Sequence, residues 1–446
     1  MSMPTLKAGI AQVDVSPPEG VQLQGYPYQT RENTGIHDPL YADCLVLENG
    51  ETSVALITAD LVFFERAYTR ELRSAIEKKT GIPAENIMLS GSHTHSGPRM
   101  VTKLFESEIN QGLKVEWAYL DNLRNRLVDL AVAAQGNLKA ARIGFGRGRA
   151  GAEQGIGGNR QDPKGLADPA VGVIGIQDSE DRWLAVWVKY SLHPTILQVE
   201  NKLVSADYPG AIRSYLGKTR PGVPMMFAQG STGDQSSRYF RKNQSFAEVE
   251  RFGTAIGREA DRVLDTLVLS DRACLAVRSG EFMPEWKEIP PVEELEERVD
   301  RYWEELRRLE AENAPYVQRQ TCYLDRLGTE YTLAHARLKA RGEPFPWSDE
   351  VPAEVQALRI GSACLVGLPG EVFVEYTLAI EDGSPFQPTF AVTCANGLLP
   401  GYVVSEEAAE KKVFEAGVSM MKPSAGRMLV DTSLELCAML EKECHE

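Results

Sequence analysis

Three of the six histidines in this 446-residue chain, His93, His95 and His193, stand where strand-like apolar runs give way to polar turns. His93 and His95 are two apart, so an extended backbone sends both imidazoles from one face toward a single ion or reacting group. Histidines satisfied by ordinary hydrogen bonds are the alternative. His193 precedes Pro194, which keeps the backbone extended and blocks a helix from starting there; taken alone it reads as a core histidine. Glu371 follows Gly367-Leu-Pro-Gly370 and precedes a helical stretch over 372–380, where the helix dipole by itself would account for a carboxylate. Tyr402, after Asn396-Gly-Leu-Leu-Pro-Gly401, reads alone as a buried aromatic. Imidazole, carboxylate and ionised phenol together suit a borderline cation such as Zn2+. A water in a vacant position of such an ion has a pKa of about 7 and serves as a nucleophile at neutral pH. His37, His335 and His445 read as structural, helical and tail residues respectively.

Five strand candidates end in such polar turns: Ser90-Gly-Ser-His-Thr-His-Ser96, Tyr190-Ser-Leu-His-Pro194, Gly230-Ser-Thr-Gly-Asp-Gln-Ser236, Gly367 to Glu371, and Asn396 to Tyr402. Ligands of α/β sheets collect beyond strand ends, so the repetition predicts one polar site on an apolar scaffold. Strands are expected at 44–48, 53–59, 86–90, 171–177, 183–190, 223–228, 355–366 and 389–395, and helices at 66–80 and 115–135. The glycine-rich stretch 144–172 reads as a long loop. Leu295, Val299, Tyr302, Leu306 and Leu309 repeat at near-heptad spacing in a charged segment that a second helix over 331–341 follows. The expected architecture is α/β (α+β), with mixed β-sheets packed together and covered by helices. One domain spans 1–446, carrying a charged helical hairpin inserted at 285–345.

A net charge of −15 and a pI near 5.1 argue against nucleic acid or an anionic membrane as the partner. No apolar run reaches the ~18–20 residues that cross a bilayer, and the N-terminus lacks a basic start followed by a long apolar stretch. The seven cysteines are odd in number and without a C-x-x-C pair, which suits a reducing cytosol and predicts a cytoplasmic protein.

Taken in order, several segments resemble the neutral/alkaline non-lysosomal ceramidases in their N-terminal catalytic domain. They are Gly9-Ile-Ala-Gln-Val-Asp-Val-Ser-Pro-Pro18, Gly35-Ile-His-Asp-Pro-Leu-Tyr-Ala42, Ser90-Gly-Ser-His-Thr-His-Ser-Gly-Pro98, Gly158-Asn-Arg160, His193-Pro-Thr195, Gly233-Asp-Gln-Ser236, Leu368-Pro-Gly-Glu371 and Asn396 to Tyr402. The resemblance implies zinc held by His93, His193, Glu371 and Tyr402, with His95 beside them handling protons. It places Ser236 at the family's active-site serine and Arg160 where charge on the substrate oxygen is stabilised. The implied reaction is hydrolysis of an amide (N-acyl) bond by metal-activated water.

The departures point away from ceramide itself. Arg99-Met100 replaces a Gly-Gly pair, Ser237-Arg238 replaces proline-asparagine, and Ala408, Ala409 and Lys411 stand where aromatic residues are usual. Neither the secretory signal nor the immunoglobulin-like C-terminal domain of the ceramide-cleaving members is read in the chain. Arg99 and Arg238, in site loops of an acidic protein, are expected to bind a small N-acyl substrate more polar than ceramide, since arginine forks recognise carboxylate. Pairing of these arginines with loop carboxylates is the alternative. A zinc-dependent esterase or lactonase, or a small-molecule binding protein without turnover, are the competing functions.

Overall fold

The structure is a computed structural model and describes residues 5–26, 29–102 and 110–443; Cys444 and His445 lie outside them. In strand Ser53–Ala59 alternate side chains serve two different cores. Val54 and Leu56 face a second sheet, and Ala55, Ile57 and Ala59 face helices. Burial on both faces explains why such strands read as unbroken apolar runs. The pattern extends over an eight-stranded sheet in the order Met225–Gln229, Trp183–Tyr190, Ala170–Asp178, Lys139–Arg149, Lys7–Asp14, Tyr41–Glu48, Ser53–Ala59, Ile87–Gly91. Only the outermost pair on each side is parallel.

A four-stranded sheet, Leu275–Phe282, Ala353–Ile360, Ala363–Gly367 and Thr389–Val392, stacks on the first. Trp187, Met226, Leu56 and Met88 of one sheet meet Leu358, Leu365 and Phe390 of the other. Helices Arg66–Thr80 and Trp117–Gly136 cover half of the large sheet's outer face, and Tyr208–Thr219 and Phe246–Leu264 cover the rest. Ser424–Glu441 and Val374–Gly383 cover the small sheet. The result is four layers, helix, sheet, sheet, helix, in keeping with the mixed α/β architecture expected. In Phe246–Leu264 the buried Val249, Phe252, Ile256, Ala260 and Val263 recur at three- and four-residue steps. Each such side chain contributes roughly 1.5–3 kcal/mol when fully buried.

The large sheet curls until its two edge strands approach each other, and the segment after strand Thr389–Val392 sews them together. Thr393 N donates to Gln229 O at 2.8 Å, Gly91 N to Cys394 O at 3.1 Å, and Asn396 N to Leu89 O at 2.9 Å. Three polar turns, from strands far apart in sequence, therefore open into one place.

The expected loop over 144–172 is corrected in its first part, because strand Lys139–Arg149 runs through it. Gly144, Gly146 and Gly148 share one face of that strand, and a Cβ there would lie within 2.8 Å of Leu269, Val263 or Glu259 atoms. These glycines clear room for a helix to lie close on the sheet, a packing role that resembles loop composition in the sequence. The charged segment forms two helices, Val292–Ala311 and Tyr316–Ala340. Leu295 packs on Leu333 and Ala336, and Leu306 and Leu309 on Cys322, so the pair is antiparallel, its second helix beginning fifteen residues before 331. No described helix is long and apolar enough to cross a membrane. Among the described residues five cysteines are free and buried, whereas Cys274 is disulfide-bonded, which departs from the reducing compartment expected.

Candidate metal centre and its two cavities

His93 leaves strand Ile87–Gly91 through a turn. Its φ is 65°, so His93 and His95 do not alternate along an extended strand as expected. The left-handed residue folds the chain back instead, and bonds from Ser92 N to Ala59 O and from His93 N to Leu61 O, both 2.8 Å, hold the turn. Nδ1 of His93 bonds the Val62 carbonyl at 3.1 Å, and Nδ1 of His193 the Thr232 carbonyl at 3.1 Å. These bonds leave Nε2 of both rings pointing inward as acceptors. His95 Nε2 lies 3.4 Å from His93 Nε2 and 3.0 Å from His193 Nε2. A ligating nitrogen from each of the three rings falls within 4.8 Å of the others.

Glu371 arrives from the opposite side. The short parallel pair Glu371–Val372 and Tyr402–Val403 sets Glu371 directly beside Tyr402. Gly370 makes the approach with φ 74°, where a Cβ would meet Leu399 at 3.0 Å. Glu371 Oε2 reaches His93 Nε2 at 3.3 Å and is otherwise buried without a hydrogen-bond partner. The helix after it starts only at Val374, so this carboxylate belongs to the histidine cluster rather than to a helix terminus. An orphaned carboxylate oxygen facing three imidazoles fits a divalent cation, and so does the chemistry of this donor set.

Electrostatics favour cation binding at two of the three rings, His95 and His193. Burial and the positive His93 and Arg31 hold His95 well below the usual histidine range, and burial with His93 and His95 does the same to His193. Both rings are therefore neutral at pH 7, the form that binds a cation. Burial would also depress His93, but Cys394 and Glu371 outweigh it and raise its pKa. The Tyr402 hydroxyl is pushed well up by burial and by the Glu371 charge, so its ionisation requires a neighbouring cation.

Arg160 stands over the Tyr402 ring, its Cζ 5.2 Å from the centroid. The strand pair Gly158–Asn159 and Gln235–Ser236 brings it next to Ser236, and Arg160 N bonds Asp234 O at 2.7 Å. Its Nε approaches Glu415 Oε1 to 2.5 Å, a charge contact without hydrogen-bond alignment, and its Nη2 has no partner. Ser236 Oγ accepts from Arg238 N at 3.2 Å, and no hydrogen bond joins it to a histidine among the described residues.

Two cavities flank the cluster and share Tyr26, His95, Tyr402 and Phe414. The smaller, about 200 Å³, is walled by Val62, Phe63, Val101, Trp347 and Leu398, with Arg99 on its side. The larger, about 440 Å³, carries Arg160, Ser236, Arg238 and Arg241. Helix Tyr316–Ala340 roofs both through a stripe at Tyr316, Gln320, Tyr323, Leu327 and Tyr331. Arg99 and Arg238, expected together, thus lie in different cavities, and among the described residues Arg160 is the one of the three that pairs with a carboxylate in the way the alternative reading supposed. Arg241, Glu415 and the roofing stripe escaped the sequence reading. Arg241 and the tyrosine spacing carried a faint signal, whereas Glu415 sits in the five-residue helix Phe414–Val418 and carried none.

The profile of the family described as neutral/alkaline non-lysosomal ceramidase, N-terminal, matches residues 6–238. The neutral ceramidase of Drosophila melanogaster is 24% identical over 311 residues, 64% of this chain and 42% of that protein. The neutral ceramidase of Pseudomonas aeruginosa is 25% identical over 249 residues, 51% and 36% of the two chains. The chain thus spans about two fifths of the length of these curated relatives. The crystal structure of neutral ceramidase from Pseudomonas aeruginosa superposes with a TM-score of 0.73 at 18% identity, covering 99% of this chain and 75% of that one. A ceramidase complexed with C2 gives 0.71 at 17%, covering 99% and 76%. With its fold shared in this way and more than half its length matched by the family profile, the chain belongs to the neutral/alkaline non-lysosomal ceramidase family.

Proposed function

We propose that the protein is a zinc-dependent hydrolase that cleaves an amide (N-acyl) bond with metal-activated water, on a substrate smaller and more polar than ceramide. The convergence of His93, His193 and Glu371 on one point, with Tyr402 beside Glu371, carries the reading. Nε2 of His93, Nε2 of His193, Glu371 Oε2 and the Tyr402 hydroxyl would hold the ion. Zinc bound there supplies a Lewis acid and an ionised water at neutral pH.

The remaining steps belong to side chains. Arg160 offers its unpartnered Nη2 to the scissile carbonyl oxygen as negative charge develops there. His95, kept neutral by burial and lining both cavities, takes the proton of the attacking water at Nε2 and delivers it to the departing nitrogen. Ser236, with no histidine to activate it, hydrogen-bonds the substrate rather than attacking it. Arg99 and Arg238 bind substrate from the two cavities.

Metal analysis of the purified protein, together with a panel of N-acyl amides and esters, tests this. The expected result is about one zinc per chain, with His93→Ala losing metal and amide hydrolysis together. Stoichiometric zinc without turnover of any amide or ester favours a binding protein, and absence of bound metal at micromolar zinc refutes the proposal.

A further inference from the structure

We infer that Arg238 and Arg241 form a carboxylate subsite for the amine half of the substrate, so that the compound cleaved is an N-acyl amino acid. This rests on the hydrolase reading above and specifies its substrate class. Four other buried or half-buried arginines have acidic partners, Arg66 with Glu281, Arg73 with Glu354, Arg213 with Asp60 and Arg326 with Glu330, while Arg31 donates from its guanidinium to the carbonyls of Asn201, Gln24 and His95. Among the described residues no carboxylate pairs with Arg238 or Arg241. Arg238 Nη1 donates only to Arg160 O at 3.3 Å, and Arg241 Nη1 to Thr195 O at 3.2 Å and Ser237 Oγ at 3.4 Å. Most of the donors of two guanidinium groups therefore remain available on one wall of the 440 Å³ cavity that also holds His193 and Ser236.

None of the acids nearby forms an ion pair with either arginine among the described residues, although Asp325 and Glu415 are close enough for their charge to be felt at Arg238. Glu415 serves Arg160 and accepts from Gln161 Nε2 at 2.9 Å. Asp325 lines a different cavity, and burial raises its carboxyl to about 6. Glu200 lines the cavity but is exposed. In a chain of net charge −15, two neighbouring arginines that face a cavity with no ion pair of their own among the described residues suit an anion from outside. The apolar walls of the 200 Å³ cavity across His95 suit the acyl group, which leaves the arginine side for the amine. Hydrolysis then breaks the acyl C–N bond and forms a C–O bond from water. It releases a carboxylic acid and an amino acid whose own carboxylate stayed on the arginine pair.

The test compares N-lauroylglycine with N-lauroylethanolamine, equal in acyl chain and differing in charge, on the zinc-loaded enzyme. It also measures calorimetric binding of the corresponding dodecylsulfonamides, which resist hydrolysis. The acid is expected to be preferred roughly tenfold or more, with Arg238→Ala and Arg241→Ala each moving the ratio toward one and Arg238→Lys retaining part of it. Arg238→Gln substitutes if the alanine variant fails to fold. No acid preference in the wild type, or a preference abolished only by Arg99→Ala, overturns the inference. Amide cleavage without acid preference removes the subsite and leaves the hydrolase; sulfonamide preference without amide cleavage does the reverse.

Discussion

Replacing Glu415 by Gln separates what Arg160 does for stability from what it does for substrate. Both side chains are buried, Arg160 7% and Glu415 3% exposed, and their charges meet at 2.5 Å. At an effective dielectric near 20 that separation is worth on the order of 7 kcal/mol of Coulomb attraction. Desolvation of two ions costs several kcal/mol each, so the intact pair contributes little net stability. Removing one partner differs, because the guanidinium stays buried above Tyr402 without its nearest counter-charge, and Glu371 and Asp234 act on it only from further away. Glu415→Gln is therefore expected to destabilise the fold by about 3–5 kcal/mol, whereas the double variant Arg160→Met with Glu415→Leu returns close to wild-type stability. Catalysis should separate from stability. The double variant folds but loses on the order of 10²–10³ in kcat/KM, the usual cost of removing a donor to a developing oxyanion. Urea denaturation followed by circular dichroism reads the first quantity, and initial rates on any cleaved N-acyl substrate read the second. A double variant as unstable as the single one refutes the argument from an uncompensated charge, and one that keeps full turnover refutes the role given to Arg160.

Two further outcomes follow from packing and burial. A Cβ on Gly328 would sit 2.9 Å from Phe414 O and 3.2 Å from Gly417 Cα, so Gly328→Ala pushes the roof helix off the Phe414–Val418 helix. The expected cost is about 1–3 kcal/mol with a raised KM, while Gly217→Ala, with open space around it, gains a few tenths to about 1 kcal/mol; equal effects in urea denaturation contradict the close contact. Burial lifts the Asp43 carboxyl from its ordinary 3.8 to about 7. The native state therefore binds more protons than the unfolded chain between those values, and this residue's contribution falls as pH rises through that window. Asp43→Asn keeps an acceptor for Gln12 Nε2, which bonds Asp43 Oδ1 at 2.7 Å. It should stabilise by up to about 4 kcal/mol at pH 8 and by far less at pH 5; the same shift at both values excludes burial as the cause.

The parts of this molecule legible in the sequence are those written in local period. Helix Arg66–Thr80 and strands Ser53–Ala59 and Trp183–Tyr190 fall at the expected residues, because one- or two-sided burial leaves a direct trace in side-chain spacing. Gly144, Gly146 and Gly148 misled because a strand that admits a close helix has the composition of a loop. The His93-Thr-His95 spacing signalled that the two rings meet, but through a geometry other than the one expected. The pair meets through a left-handed turn, which residue types alone do not reveal.

What stayed illegible depends on curvature and distance. The edge strands Ile87–Gly91 and Met225–Gln229 are the two ends of one sheet, and nothing in either segment says that the sheet curls until they adjoin. That closure decides the site. His93 follows one edge strand, Ser236 the other, and the Thr393–Asn396 segment bonded between them leads on to Tyr402. The second sheet delivers Glu371 over this seam, so the donors come from both sheets and meet only when the two are stacked. Side chains that complete the arrangement from outside, Glu415 under Arg160 and the stripe from Tyr316 to Tyr331, sit on helices whose sequence records only their own packing. A roof helix that supplies no candidate ligand yet walls both cavities can change while the donors stay fixed. Under the proposed function, the residues that would set the reaction are therefore separate from those that would set which substrate reaches it.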